Sequence, residues 1–327
     1  MNIYVYSSSL SILLVFISCM DDSNKCKFDH NGAIETKKLK LLSQEIVPEL
    51  VGKAKGDAGK VGIIGGSIEY TGAPYFSAIT ALKVGSDLVY VVTTESASFV
   101  IKTYSPDLIV YPFLEPKYLL KIKALIPKMD IIVIGPGLGR ENDTLQLIYD
   151  IIEHCKILRK PLVIDADGLY AVAMNVSIIK DYPSPGIILT PNKREAKKLQ
   201  EATSSTSDGE WNNYWGDNVS VLVKNEEDCF YSNISIYNWG SKQGGSDRRA
   251  GGQGDILSGA LGTFYNWALK RKLCGAEQIQ LAQSVASYAA AKFTRLCNSK
   301  AYAINGRSMT ASDMLSKIHS AFEETFI

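Results

Sequence analysis

The sequence predicts an α/β fold in which a mainly parallel sheet is flanked by helices on both faces. Short runs of aliphatic and β-branched residues alternate with segments whose apolar residues recur at helical spacing, an order typical of consecutive βαβ units. The runs are almost continuously apolar, which indicates strands buried on both faces. A chain of 327 residues, with 46% hydrophobic and 21% charged residues, is long enough to bury one large core.

The same patterns place the elements in order. Apolar runs predict strands at residues 61–64, 87–92, 108–111, 131–134, 162–164, 187–189, 219–223 and 229–231. Helical periods predict helices at residues 75–84, 118–126, 144–157, 256–268, 279–293 and 311–322. Pro74 suits the first position of the first of these helices. Residues 201–218 are rich in Ser, Thr, Asn, Gly and Trp without a period, and they predict a surface loop.

The polar, aperiodic residues 21–40 predict a linker, so the chain divides into a leader and linker at residues 1–40 and a single domain at residues 41–327. The apolar run at residues 10–19 has the length of a signal-peptide core and is too short to span a bilayer, but no Lys or Arg precedes it. Met20 offers an alternative start. We expect a cytoplasmic or mitochondrial protein without a membrane span, and a signal peptide remains the alternative.

The overall composition narrows the classes of partner. A net charge of +1 indicates neither a basic surface for nucleic acid nor a polybasic face for a membrane. The expected partners are therefore small molecules. The six cysteines include no Cys-x-x-Cys pair, so neither a zinc site nor a disulfide framework is indicated. Assembly into a homo-oligomer is compatible with this composition.

The stretch from Gly244 to Asp255 carries the strongest chemical signal. It reads Gly-Gly-Ser-Asp-Arg-Arg-Ala-Gly-Gly-Gln-Gly-Asp and leads into a helical pattern that begins at Ile256. Glycines let backbone N–H groups converge, and the following helix adds the positive end of its dipole, so a phosphate fits there. Asp255, in the first helical turn, is a candidate base for a substrate hydroxyl. The alternative is a glycine loop followed by an Asp that merely favours the helix; the two arginines favour phosphate chemistry.

Further polar residues follow the predicted strands at what should be one edge of the sheet. Asp165 and Asp167 either form a turn or position a substrate or a metal-bound water. Asn192 and Glu195 share a face at a helix start, where they orient a hydrated magnesium ion, complete a capping box, or do both.

Three other segments have both a structural and a functional interpretation. Residues 135–140, Gly-Pro-Gly-Leu-Gly-Arg, form a tight turn or allow close backbone approach to a ligand. Residues 224–228 predict a turn between two strands of a hairpin. Arg307 is able to reach a phosphate, and a solvated loop is the alternative.

Taken together, these motifs resemble the eukaryotic type of ATP-dependent NAD(P)H-hydrate dehydratase, a family of the ribokinase-like superfamily. The resemblance runs from about residue 46 to the C-terminus and includes Lys-Gly-Asp-Ala-Gly at residues 55–59, Gly-Gly-Ser at 65–67 and Asn-Gly-Arg-Ser at 305–308. It departs at Asn225, where relatives usually carry Gly, and at Ala250, where they often carry Cys. It implies a ribokinase-like three-layer αβα sandwich with a mainly parallel central sheet.

The resemblance also implies site residues. Those expected to contact a hydrated dinucleotide are Gly139, Asn192, Lys193, Arg194, Glu195, Ala196, Lys197, Lys198 and Asp255. Those expected to hold ATP are Lys224, Asn225, Glu226, Glu227, Asp228, Gly245, Ser246, Asp247, Arg248, Arg249, Ala250, Gly251, Gly252, Gln253 and Gly254. The implied cofactors are ATP, as co-substrate, and Mg²⁺, which Asn192 and Glu195 would hold through water.

The activity implied by the resemblance is a lyase reaction that repairs damaged nicotinamide cofactors. ATP would drive dehydration of the S epimer of hydrated NADH or NADPH to the intact reduced cofactor, with Asp255 as the catalytic base. One alternative is a ribokinase-like kinase that stops at a phosphorylated small molecule, for instance a vitamin precursor. Another is a nucleotide-binding sensor without catalysis.

Overall fold

The computed structural model describes residues 34–203, 211–271, 273 and 279–327. The strands within these residues are β1 (Lys60–Ile64), β2 (Leu88–Val92), β3 (Ile109–Tyr111), β4 (Ile131–Ile134), β5 (Leu162–Ile164), β6 (Ile187–Leu189), β7 (Val219–Val223), β8 (Asp228–Tyr231) and β9 (Trp239–Ser241). The α-helices there are α1 (Thr36–Glu45), α2 (Gly72–Val84), α3 (Glu95–Tyr104), α4 (Leu119–Leu125), α5 (Asn142–Ile157), α6 (Ala166–Met174), α7 (Lys193–Ala202), α8 (Gln253–Arg271), α9 (Ile279–Asn305), α10 (Ala311–Leu315) and α11 (Ile318–Phe326).

The strands form one sheet in the order β3-β2-β1-β4-β5-β6-β7-β8-β9. Neighbouring strands are parallel from β3 to β7. At the other edge, β8 runs antiparallel to β7, and β9 runs antiparallel to β8. The mainly parallel sheet and the hairpin at residues 219–231 are therefore confirmed.

The helices form a layer on each face of this sheet. Helices α1, α2 and α8 to α11 pack together on one face, and α4 to α7 pack on the other. Continuous apolar runs suit this arrangement because a central strand has no solvated face; in Ile131–Ile134 every residue is fully buried. Gly262 lets α8 approach the sheet, since a side chain there would come within 2.9 Å of Val133 Cγ2. The predicted three-layer αβα sandwich is confirmed.

The position of the functional edge follows from the topology. The chain adds β2 and β3 on one side of β1 and then crosses to add β4 on the other, and such a reversal opens a crevice at the carboxyl ends of the strands. The loops after β1 and β4 touch there: the Gly66 N–H donates to the Pro136 carbonyl at 2.9 Å. A side chain at Gly65 would collide with that carbonyl, so close approach requires glycine.

Some predicted elements were incomplete. The sequence patterns missed α3, α6 and β9. A turn was one of the two interpretations of residues 165–168, but Asp165 precedes α6 and residues 166–174 are helical, because Leu, Ala and Met downstream favour a helix. Pro74 lies at the third position of α2 rather than the first, since the helix begins at Gly72. Any position in the first turn tolerates a missing N–H.

Three predicted boundaries also differ from the structure. Helix α1 begins at Thr36, inside the segment predicted to be a linker, because Leu39 and Leu42 bury an apolar edge. Trp211 and Trp215 lie in the core, so residues 211–215 are not a surface loop; residues 204–210 are outside the described part. The predicted last helix is split into α10 and α11.

The apolar run at residues 10–19 lies outside the described residues, so the expected location stays a prediction. Among the helices that the structure describes, none is long and apolar enough to cross a bilayer.

Candidate active site

A cavity of about 610 Å³ opens at the carboxyl edge of the sheet, between the start of α7, the β7–β8 turn, the glycine loop and helices α8 and α9. It brings together part of the predicted dinucleotide set and part of the predicted ATP set. The residues that line it are Asn192, Lys193, Arg194, Lys224, Asn225, Asp228, Gly245, Arg249, Ala250, Gln253, Gly254, Leu257, Ala291, Thr294, Arg295 and Asn298.

The glycine loop has the backbone that the sequence led us to expect. Gly244, Gly245 and Gly252 have φ values of 82°, 85° and 88°, in the left-handed region that favours glycine. Helix α8 begins at Gln253, whose side-chain amide donates to the Arg248 carbonyl at 3.1 Å and closes the loop. The N–H groups of the first turn have no helical acceptor, which leaves them available to an anion.

Two residues of α9 organise this loop, and neither was among the residues predicted from the sequence. Arg295 Nε donates to Asp228 Oδ2 at 2.6 Å, while its terminal nitrogens reach the carbonyls of Asn225, Glu226 and Gly244. Asn298 Oδ1 accepts from both the N–H and the hydroxyl of Ser246, each at 2.7 Å. Helix α9 thus ties the β7–β8 turn to the glycine loop. The signal available in the sequence was a pair of polar residues three apart on a largely apolar helix.

Lys224 lies at the junction of the two predicted ligand sets. Its N–H donates to the Pro191 carbonyl at 2.8 Å, and its ammonium contacts Asp165 Oδ1 at 2.6 Å. Asp165 is buried and also accepts from the Thr190 hydroxyl at 2.9 Å. Burial acts to lower the pKa of Lys224, but the carboxylates of Asp165 and Glu195 outweigh it and raise that pKa. Lys224 therefore stays charged, and Asp165 is its counter-ion.

Asp255 occupies the third position of α8 and is partly exposed. Burial, reinforced by the nearby Asp165 carboxylate and opposed by the Lys224 ammonium, raises its pKa to about 7. A carboxyl group with this pKa exchanges protons near neutral pH, as a general base must. The neighbouring Gly254 lies close to Lys224, since a Cβ there would be 3.4 Å from Lys224 Nζ, an ordinary van der Waals contact.

Asn192 and Glu195 form the capping box at the start of α7. Asn192 Oδ1 accepts from the N–H groups of Arg194 and Glu195, and Glu195 Oε2 accepts from the Asn192 N–H at 2.8 Å. Burial raises the pKa of Glu195, and the carboxylates of Asp165 and Asp167 add to the effect. The predicted capping box of Asn192 and Glu195 is therefore confirmed. Their role toward magnesium stays a prediction.

The loop at Gly139 is held by Asp167. The Gly139 N–H donates to Asp167 Oδ2 at 3.2 Å, and Arg140 Nε donates to Asp167 Oδ1 at 2.9 Å. Gly139 has a φ of 78°, so the turn requires its left-handed conformation. Both oxygens of Asp167 are therefore engaged in fixing the loop after β4 against α6.

Several residues named by the resemblance lie away from the cavity. Lys197 is exposed and approaches Glu201 at 3.8 Å, and Ala196 packs toward the core. Glu227 pairs with Lys242 at 3.7 Å. The remaining residues of these sets that do not line the cavity are Gly139, Glu195, Lys198, Asp255, Glu226, Ser246, Asp247, Arg248, Gly251 and Gly252. Arg307 is also exposed and does not line it.

The fold is a ribokinase-like α/β sandwich, and its candidate site places a glycine loop and the start of helix α8 at the carboxyl edge of the sheet. Similarity to solved structures supports the fold: a hypothetical protein from Streptococcus mutans matches with a TM-score of 0.73 and 19% identity, over 90% of this chain and all of that one. The ADP/ATP-dependent NAD(P)H-hydrate dehydratase from Bacillus subtilis, co-crystallised with ATP/Mg²⁺, matches with a TM-score of 0.63 and 20% identity, over 89% and 99% of the two chains.

Sequence comparison is more specific. A family model described as NAD(P)H-hydrate dehydratase matches residues 61–320. The protein from Aedes aegypti named ATP-dependent (S)-NAD(P)H-hydrate dehydratase is 45% identical over 87% of this chain and 84% of the relative. The protein of the same name from Homo sapiens is 41% identical over 88% and 84%. The chain belongs to the NAD(P)H-hydrate dehydratase family, which confirms the resemblance.

Proposed function

We propose that this protein catalyses the ATP-dependent dehydration of the S epimer of hydrated NADH and NADPH, restoring the reduced cofactor. The observation that carries the proposal is the position of Asp255, a carboxyl group with a pKa of about 7 at the N-terminus of α8. It follows the glycine loop directly in the chain, and the charges of Lys224, Asp165 and Asp167 act on its pKa. The names of the relatives support the same reaction.

ATP is proposed to occupy the large cavity. Leu257 and Ala291 supply apolar contacts for a nucleoside, Thr294 adds a hydroxyl beside them, and Arg249 lies at the glycine loop. The free N–H groups at the start of α8 suit the terminal phosphates, and Lys224 adds a cation beside them. The remaining residues of the ATP set would act through the backbone of the β7–β8 turn and the glycine loop, which α9 holds in place.

The residues present fit a hydrated magnesium ion at the start of α7. Asn192 and Glu195 provide amide and carboxylate oxygens, the donors that Mg²⁺ prefers. Burial, with a smaller contribution from the Asp165 and Asp167 carboxylates, raises the pKa of Glu195, and a cation would favour its ionised form. In the described residues, no group of three or more His, Cys, Asp or Glu side chains is arranged as a metal site, so the contact would run through water. Bound there, magnesium would neutralise charge on the transferring phosphoryl group.

The chemistry explains why ATP is needed. Hydroxide is a poor leaving group, so the ring hydroxyl is first phosphorylated. Asp255 takes the proton of this hydroxyl while the hydroxyl oxygen attacks the γ-phosphorus of ATP, and ADP departs. The ring nitrogen then expels phosphate as the carbon–oxygen bond breaks. Loss of a proton from the adjacent carbon restores the double bond. The residues of this chain thus have to bind, orient and deprotonate, while the N–H groups of α8 stabilise the phosphoryl charge.

The test is to incubate the purified protein with hydrated NADH, ATP and magnesium. Return of the reduced-nicotinamide absorbance together with ADP and phosphate is the expected result. A phosphorylated product without that absorbance would instead indicate the kinase that stops after transfer. Absence of any ATP turnover across hydrated NADH, hydrated NADPH and vitamin precursors would favour the silent sensor.

A further inference from the structure

A second, smaller crevice lies beside the cavity, on the Gly139 side of the site. Its enclosed part measures only about 30 Å³, and it is lined by Arg140, Tyr170, Glu195 and Lys198 together with small and apolar residues of α6. Because none of the predicted ATP residues lines it, this crevice belongs to the side where the dinucleotide is proposed to bind. A group the size of phosphate would sit at its mouth.

Arg140 is prepared for an anion at this mouth. Asp167 holds its Nε at 2.9 Å, and the guanidinium carbon lies 4.7 Å from the centre of the Tyr170 ring. Within the described residues its two terminal nitrogens make no hydrogen bond, and 58% of the side chain is exposed. The ion pair with Asp167 and the Tyr170 ring therefore hold the guanidinium in place, and its terminal N–H groups have no acceptor among the described residues.

The charges of the crevice favour an anionic ligand. Arg140 and Lys198 are the cations that line it. Glu195 lines it too, but its Oε2 accepts from the Asn192 N–H at 2.8 Å. Asp167, the counter-ion of Arg140, also binds the Gly139 N–H, so it is committed to the loop. A ligand phosphate would thus meet the unused donors of Arg140 without displacing either carboxylate.

We propose that Arg140, supported by Tyr170 and joined by Lys198, binds a phosphate group of the dinucleotide substrate. The inference rests on the proposed function, because a hydrated dinucleotide must place its ring at Asp255 and carry its phosphates away from the ATP cavity. The phosphate is either part of the pyrophosphate, common to both cofactors, or the 2′-phosphate found only in NADPH. An arginine fork suits both because it pairs with phosphate oxygens through two parallel hydrogen bonds.

The test uses the reaction products as probes. Binding of NADH and of NADPH is followed by their fluorescence, with a non-hydrolysable ATP analogue filling the large cavity. Arg140→Gln should weaken product binding about ten- to a hundredfold, and Arg140→Lys should recover part of that loss. Lys102→Gln, at an exposed position of α3, removes the same charge and should leave binding unchanged. Melting temperature and affinity for the ATP analogue verify that each variant is folded.

The outcomes separate the two phosphates and the two proposals. Equal weakening for NADH and NADPH assigns the pyrophosphate, and weakening for NADPH alone assigns the 2′-phosphate. Unchanged binding of both products by folded Arg140→Gln overturns the inference. If the wild-type protein binds both products through Arg140 yet never regenerates them from their hydrates, the subsite stands and the proposed function fails.

Discussion

Replacing Asp255 with Asn should stabilise the protein while it abolishes most of the activity. The pKa of Asp255 rises from 3.8 to about 7 on folding, so ionising this group at pH 8 costs the folded state about 4 kcal/mol if the full shift applies. Because the side chain keeps some contact with water, we expect about 1–3 kcal/mol. Asn has nearly the same shape and carries no charge, so Asp255→Asn should gain this amount at pH 8.

The free energy of unfolding should depend on pH in a direction that follows from the raised pKa of Asp255. A carboxyl group whose pKa is raised by folding contributes stability that is present below pH 4 and is lost as pH rises through 7. The difference in unfolding free energy between Asp255→Asn and wild type should therefore grow between pH 4 and pH 7 and then level off. Denaturant titrations at several pH values measure it. Single-turnover phosphoryl transfer should fall about a hundred- to ten-thousandfold, with ATP binding retained.

Asp313 provides a matched control because it occupies the same third helical position in α10. There, hydrogen bonds from the N–H and hydroxyl of Thr310 lower the pKa of the carboxyl group. Asp313→Asn should therefore lose stability at neutral pH. Two results would contradict this reasoning: an Asp255→Asn variant that is less stable than wild type at pH 8, or one that transfers phosphoryl groups at a near-normal rate. Either would mean that Asp255 only favours the start of the helix.

Three further variants test the rest of the site. Glu195→Gln should raise the magnesium concentration needed for half-maximal turnover and weaken magnesium binding in calorimetric titrations; unchanged values would leave only the cap. Arg295→Gln leaves the buried carboxylate of Asp228 without its ion pair. The free energy of unfolding should therefore fall by about 3–5 kcal/mol, and the affinity for ATP should fall as well. Gly252→Ala, at a φ of 88° and 2.6 Å from Ala311 Cβ, should lower the melting temperature, whereas Gly251→Ala meets nothing within 4 Å and should not.

The fold was largely predictable because central parallel strands must be apolar along their whole length. Each strand core at residues 61–64, 131–134 and 187–189 was recognised from its run of aliphatic residues, and the loops that follow carry the glycines and polar groups. Short peripheral elements were harder. Strand β9 has three residues, and its pairing depends on β8 rather than on its own pattern.

The site was predictable only where its residues are local in sequence. The glycine loop and Asp255 form one continuous segment, so backbone freedom and helix polarity were visible together. Arg295 and Asn298 contact residues 67 and 52 positions earlier in the chain, and nothing near them in sequence shows that α9 will pass beneath the glycine loop. Trp211 and Trp215 were likewise misjudged, because their burial depends on a groove made by other segments.

The carboxyl groups of the site fall into two sets, those held in ion pairs and those that are not. Four carboxyl groups converge on this edge, and among the described cations Lys224 pairs with Asp165 while Arg140 pairs with Asp167. Glu195 and Asp255 have no such partner, and burial raises the pKa of both. The two carboxyl groups left without an ion pair are those proposed to orient magnesium and to take the substrate proton. Burial thus lowers stability at the two positions where the proposed mechanism requires an incoming cation and a mobile proton.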